Sequence, residues 1–302
     1  MNIIEIDGIT KTFGEHVAVD GLSLSVPKGS IYGFIGPNGS GKTTTIRMIM
    51  NIFYPDSGKI RILNGERSHD APDHIGYLPE ERGLYKKMKV KDIIRFYGEL
   101  KRVPNPGRTA DEWLKRFDLT AWADKKVEAL SKGMSQKVQF TVAVINRPPI
   151  VILDEPFSGL DPVNAEIIKE VILELRKEGS TIVFSTHDMA VAEKMCDFIF
   201  MIYKGRKVLD GTLESIQKQF GQDTLRIQAE GGAQRLEGIE GIEKINDFGY
   251  VQELRMKPGT DTQRLLSDIL SRTRITKFEV ASPSLNDIFI RIARPEKTDS
   301  HE

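Results

Sequence analysis

Eight residues, Gly36-Pro37-Asn38-Gly39-Ser40-Gly41-Lys42-Thr43, constrain this chain of 302 residues more than any other stretch, because of what flanks them. Before them runs the apolar segment Ile31-Tyr32-Gly33-Phe34-Ile35, and after them residues 44–51 carry a helical pattern. A short, wholly apolar run is the pattern of a buried strand. Strand, glycine-rich turn and helix, in that order, let consecutive backbone N–H groups close around a phosphate. The glycines Gly36, Gly39 and Gly41 free the backbone to turn inward, and the helix N-terminus adds partial positive charge. Lys42 would then reach the β- and γ-phosphates and Thr43 would ligate Mg²⁺, with Pro37, Asn38, Ser40 and Thr44 completing the cradle. The plain alternative is a glycine-rich turn carrying an exposed lysine, and the flanking strand and helix argue against it.

A phosphate clamp names a ligand and leaves the work unspecified, so the rest of the chain has to supply it. Lysine plus arginine and aspartate plus glutamate both total 43, and the formal net charge is zero. Nothing in that balance points to a polyanion, so no nucleic acid is expected as a partner. The single cysteine, Cys196, cannot form an internal disulfide, which suits a reducing compartment. No apolar stretch approaches the ~20 residues that cross a bilayer, and the N-terminus lacks a basic segment followed by a hydrophobic run. The expectation is a soluble, cytoplasmic protein whose membrane role, if it has one, comes through a partner.

Residues 2–7 and 22–26 alternate apolar with polar as half-buried strands do, and 59–63 and 75–78 continue the strand series. Between about 83 and 148 the period becomes helical, clearest over 90–101, 111–117 and 131–145, with Pro104-Asn105-Pro106-Gly107 as a break. Afterwards strands (150–153, 181–185, 198–202) alternate strictly with helices (163–177, 189–195), which implies parallel strands and ligand-binding loops at their carboxyl ends. A boundary falls near Phe220-Gly221-Gln222-Asp223. Beyond it, strands at 224–229, 242–247, 250–256 and 275–281, with helices at 262–272 and 284–292 and a weak one at 233–237, suggest a β-α-β-β-α-β domain. The expected division is residues 1–221, 222–294 and a tail at 295–302.

The second anchor is Ile150-Val151-Ile152-Leu153-Asp154-Glu155, an apolar strand ending in two carboxylates. Asp154 could hold Mg²⁺ opposite Thr43, and Glu155 could face the γ-phosphate. Adjacent acidic residues after a strand also cap helices, so alone the pair leaves both readings open.

The order of these segments resembles the nucleotide-binding subunit of ATP-binding cassette (ABC) transporters over roughly residues 3–220. Leu130-Ser131-Lys132-Gly133-Met134-Ser135-Gln136 resembles the family's LSGGQ signature, Ser158-Gly159-Leu160-Asp161 its D-loop, and His187 after Phe184-Ser185-Thr186 its switch histidine. The resemblance implies a P-loop NTPase core of α/β class with N-terminal antiparallel strands and a helical insertion, followed by a small α+β, ferredoxin-like C-terminal domain. It also implies an ATPase using ATP and Mg²⁺, as a homodimer or paired with another ATPase subunit. In that family each ATP lies between one clamp and the signature of the other subunit. By this resemblance Phe13 stacks on adenine, Glu155 polarises the attacking water, His187 orients water and γ-phosphate, Ser131 and Gly133 meet the γ-phosphate of the other subunit, and Asp161 of the D-loop is a nucleotide-binding candidate that can also cap the helix ahead of Pro162.

Two departures stand out. Glu80 occupies the place of the family's glutamine after the strand at 75–78, putting a carboxylate beside Mg²⁺ and nucleotide. Lys132 and Met134 replace glycine and glutamine in the signature. The segment from 224 resembles the accessory domain of sodium-export and drug-resistance ATPases, so the expected role is driving a separate integral membrane permease in export, from the inner face of the cell membrane. Leu84, Tyr85 and Met88 are candidates for the socket that receives the permease, or for the core of the helical insertion. The competing readings are a non-transport ATPase acting as a mechanical clamp and a nucleotide-dependent regulatory switch.

Overall fold

The computed structural model describes residues 1–63, 65–66, 74–81, 83–221 and 224–293. The expected tail, Arg82 and the boundary pair Gln222-Asp223 lie outside the described residues. Two units divide the chain, Met1–Thr212 and Leu213–Glu302.

In the first unit the elements run β1 (Asn2–Phe13), β2 (His16–Pro27), β3 (Ile31–Ile35), α1 (Lys42–Ile49), β4 (Ser57–Ile62), β5 (Gly65–Glu66), β6 (Ile75–Leu78), α2 (Val90–Leu100), α3 (Pro106–Arg116), α4 (Lys132–Val144), β7 (Ile150–Asp154), α5 (Pro162–Lys177), β8 (Thr181–Thr186), α6 (Met189–Met195), β9 (Phe198–Tyr203) and β10 (Arg206–Gly211). One sheet has the order β2-β1-β4-β5, with every pairing antiparallel. The other has the order β10-β9-β3-β8-β7-β6, parallel except where β10 turns back on β9. Because the parallel strands are covered on both faces, β3, β7 and β8 are buried at every residue, and β3 and the first four residues of β7 read as continuous apolar runs. The strand period of two splits β7 between layers: Ile150 and Ile152 join the core with β1, β2 and α1, while Val151 and Leu153 join the core with α2 to α5.

α3 begins at Pro106, earlier than the sequence period suggests. Pro104 to Gly107 reads as a break, yet a proline at the first helical position gives up an N–H that has no helical partner anyway. Among the described residues no helix is long and apolar enough to cross a membrane.

The second unit comprises α7 (Leu213–Phe220), β11 (Thr224–Ala229), β12 (Ile242–Asp247), β13 (Gln252–Met256), α8 (Thr262–Arg272), β14 (Ile275–Ala281) and α9 (Leu285–Ala293). Its antiparallel sheet has the order β12-β13-β11-β14, an α+β arrangement around Leu225, Ile227, Leu254, Leu265 and Ile269. The weak helix expected at 233–237 is a single 3₁₀ turn, Ala233–Arg235, because Gly231-Gly232 and Gly238 leave too few residues to propagate a helix. The expected boundary at 221 lies beyond α7, which groups with the second unit, where Gln217 Nε2 donates to the Pro283 carbonyl at 3.1 Å.

Candidate functional site

The glycine-rich turn leaves the carboxyl end of β3, the strand between β8 and β9, and runs into α1. Two of its glycines are sterically obligatory. A Cβ on Gly36 would lie 2.2 Å from the Ile202 carbonyl oxygen and 2.7 Å from Ser40 Oγ. One on Gly41, whose φ is 109°, would lie 2.6 Å from the Ala18 carbonyl oxygen. Lys42 is buried, its ammonium donating to the carbonyls of Gly36 at 2.7 Å and Pro37 at 3.1 Å. Burial lowers its pKa below the ordinary lysine value, and the charges of Glu155, Asp154 and Glu80 partly oppose that shift.

β7 delivers Asp154 to the same edge of the sheet, at zero exposure. Its Oδ1 accepts from Ser185 Oγ at 2.5 Å, and Ser185 Oγ accepts the Glu155 N–H at 2.9 Å. One hydroxyl, carried across by the β7–β8 register Asp154↔Ser185, therefore fixes both carboxylate residues. Glu155 is 9% exposed and sits at φ 51°, in the left-handed region that non-glycine residues occupy only where neighbours over-determine it. Its Oε1 lies 2.9 Å from His187 Nδ1, while the His187 side chain is 58% exposed. The same polar surroundings act on Tyr77, whose phenol is pushed up to about 12 by burial and by the Asp154 charge.

A cleft of about 430 Å³ opens over these groups. The β1–β2 hairpin contributes Phe13, His16 and Ala18; the turn and first residues of α1 contribute Asn38, Gly39, Gly41, Lys42, Thr43 and Thr44; the loops after β6 and β7 contribute Glu80 and Glu155. Gly36, Pro37, Asp154 and His187 do not line it, but each is hydrogen-bonded to a lining residue directly or through Ser185. Phe13 is not a core residue. It is 43% exposed, with its ring edge-on to Phe53 at 5.5 Å and the Lys11 ammonium 5.6 Å above it.

Ser131, Gly133 and Asp161 are absent from the lining of that cleft. Ser131 caps α4, its hydroxyl accepting the Met134 N–H at 3.2 Å, and Asp161 caps α5, accepting the Asn164 N–H at 3.0 Å. These two helix starts form one surface. A Cβ on Gly133 would lie 3.4 Å from Leu160 Cδ2, and the Lys132 side chain crosses Gly159 so closely that a Cβ there would be 2.5 Å from Lys132 Cε.

Two side-chain acceptors in this region, Asp154 Oδ2 and Ser40 Oγ, are buried without a hydrogen-bond partner. An orphaned buried carboxylate oxygen is costly unless something else satisfies it, and a hard cation does so. Among the described residues no group of three or more His, Cys, Asp or Glu could hold a metal alone. That fits Mg²⁺, which takes one or two protein oxygens and completes its shell with phosphate and water. Thr43 and Asp154 supply oxygens of the required kind.

Sequence reasoning missed Ser185 and His16. A serine directly after the apolar run Ile182-Val183-Phe184 was a signal, but its meaning depends on a register that pairs it with Asp154. His16 faces Phe13 across the hairpin, which places a second ring at the cleft.

Residues 19–158 match the family described as ABC transporter, and residues 211–293 match the C-terminal domain of DrrA1-3-like ATP-binding proteins. The chain is 40% identical to the ABC transporter ATP-binding protein YhaQ of Bacillus subtilis, over 95% of this chain and 97% of that one. It is 28% identical to the linearmycin resistance ATP-binding protein LnrL of the same organism, over 96% of this chain and 98% of the other. Among solved structures it resembles a dimeric, post-hydrolysis ATP-binding cassette bound to ADP and Pi, with a TM-score of 0.65 and 26% identity, over 70% of this chain and 98% of that chain.

Proposed function

We propose, from the premise that this chain belongs to the family of ABC transporter ATP-binding proteins, how its residues divide the work of the ATP-hydrolysing, nucleotide-binding subunit that it is. The observation that supports the reading best is that Phe13, Lys42, Thr43 and Glu155 line one and the same cleft. Phe13 presents an exposed ring face for adenine. Gly36 to Thr44 and the α1 N-terminus receive the phosphates, and Lys42 exchanges the carbonyls it now holds for β- and γ-phosphate oxygens. Thr43 and Asp154, with Glu80 nearby, would hold Mg²⁺, which when bound would supply neutralisation of phosphate charge. Glu155 orients and deprotonates the attacking water. His187, hydrogen-bonded to it, steadies that carboxylate and faces the γ-phosphate.

The other half of the site is supplied by a second ATPase subunit. Ser131, Gly133 and Asp161 stand on their own surface, where the α4 N-terminus can meet a γ-phosphate held by the partner subunit. Family membership carries pairing with a membrane permease. The proposed docking face is the aromatic group Tyr85, Phe96 and Tyr97, with Tyr85 58% and Phe96 40% exposed. Leu84 and Met88 pack against the core shared with α2 to α5, as Tyr97 also does, which leaves Tyr85 and Phe96 as the exposed part of that face. The direction of transport is export, supported by the match of residues 211–293 and by the resistance function in the relative's name.

The test is ATP turnover by the purified protein before and after reconstitution with the permease that co-purifies from membranes. Stimulation of several-fold by that permease is expected. Stimulation by DNA or ribosomes instead would sink the transport reading.

A further inference from the structure

α4 is buried from Gln136 to Val144, and two of those buried residues are glutamines. Gln136 is 4% and Gln139 5% exposed. Burying an amide is unfavourable unless it is hydrogen-bonded, so each needs a reason to be there. The bonds they make supply one. Gln136 Nε2 donates to the Pro156 carbonyl at 3.2 Å, and Gln139 Nε2 donates to the Glu81 carbonyl at 3.4 Å. Residues three apart share one helix face, so a single face of α4 holds two loops. Pro156 directly follows Glu155, Glu81 directly follows Glu80, and both glutamates line the cleft.

The Gln136 tether matters because the backbone beside it is not self-supporting. Glu155 lies at φ 51°, a conformation kept only where the surroundings fix it on both sides. Ser185 Oγ fixes its N–H, and Gln136 fixes the carbonyl of the next residue. Gln139 Oε1 is buried without a partner, a cost that the Nε2 bond to the Glu81 carbonyl offsets in part.

We infer that Gln136 and Gln139 are positioning residues that tie the helix starting at the signature segment to the loops carrying Glu155 and Glu80. A shift of α4 on engagement of its N-terminus would thereby move both carboxylates at the cleft. Gln136 acts on the water-activating group and Gln139 on the nucleotide side. This rests on the reading of Glu155 as that group.

The experiment uses the full chain with Gln136→Leu, Gln139→Leu and, as reference, Glu155→Gln. Each is measured for kcat, KM for ATP, Kd for a non-hydrolysable ATP analogue with Mg²⁺, and melting midpoint. Gln136→Leu is expected to lower kcat about three- to tenfold with Kd within about twofold of the parent, the loss of one hydrogen bond read in the rate. Gln139→Leu is expected to change KM and Kd by about threefold or more at nearly unchanged kcat. Should either leucine variant fail to fold, the corresponding methionine variant takes its place, keeping length and volume without a donor. Parent-like kcat and Kd in both variants would overturn the inference, as would losses that track the melting midpoint alone. If Glu155→Gln itself turns over ATP normally, the reading of the site fails first; if only the glutamine variants behave as parent, the tether alone is wrong.

Discussion

The clamp end of the site and the signature end are built in opposite ways. At the clamp, Lys42, Asp154 and Glu155 are buried and cross-braced: Lys42 to Gly36 and Pro37, Asp154 and Glu155 to Ser185, Glu155 to His187. At the signature, Ser131 and Lys132 are exposed, and the polar groups of Ser131 and Asp161 are bonded only within their own helix starts. Pre-organised, water-poor surroundings are what charge development in a transition state requires. An exposed helix N-terminus with free N–H groups is what an anion arriving from outside requires. The difference is the one that the proposed division of chemistry at one end and assembly at the other requires, so lesions at the two ends should have separable signatures.

The largest effect should come from Glu155→Gln. The amide keeps size and can still meet His187, but it cannot take a proton. The expected outcome is a fall in kcat of about 10²–10⁴-fold with ATP affinity nearly intact and a longer-lived closed dimer, read by single-turnover kinetics and gel filtration with ATP. A variant that hydrolyses at the parent rate would move the base elsewhere and erase the contrast. Ser131→Arg is the matching lesion at the other end. It places a bulky cation where the partner's γ-phosphate would sit, so each subunit should bind ATP as before while ATP-dependent pairing is lost. Turnover should fall by at least about tenfold, as removing an anion-stabilising contact does. Unchanged pairing would show that the signature surface is not the missing half.

How much of this was legible beforehand follows the same division. The clamp and Asp154-Glu155 could be read from sequence because backbone geometry dictates their spacing: glycines where a Cβ would collide, an apolar strand where both faces are covered. Ser185, Gln136 and Gln139 could not, because a hydroxyl or an amide in a buried element acquires meaning only through tertiary register and packing. In the sequence the role of Phe13 rests on the family resemblance alone, with a core phenylalanine as the lesser alternative, and its exposure beside the clamp is what speaks against that alternative. The expected boundary at 221 leaves residues 213–220 with the first domain for a related reason: their single buried residue, Ile216, says that the segment packs but not on what.

The smallest effect, and the finest test of the contrast, concerns Asp161. Its carboxylate accepts the Asn164 N–H, and that backbone hydrogen bond holds its pKa below the ordinary value of 3.8. A carboxylate whose folded pKa is depressed contributes stability that is present above the unfolded pKa and lost as pH falls through the folded value. Its contribution is therefore complete at neutral pH and fades below about pH 4. Asparagine also caps helices, so Asp161→Asn should leave the neutral melting midpoint within about 2 °C of the parent while removing this share of the acid sensitivity. A cap alone predicts nothing more. A residue that also faces the partner's nucleotide predicts weaker ATP-dependent pairing at neutral pH, where the cap is unharmed. Pairing that stays at the parent level in Asp161→Asn would confine Asp161 to its own helix and leave Ser131 and Gly133 as the contacts offered across the interface.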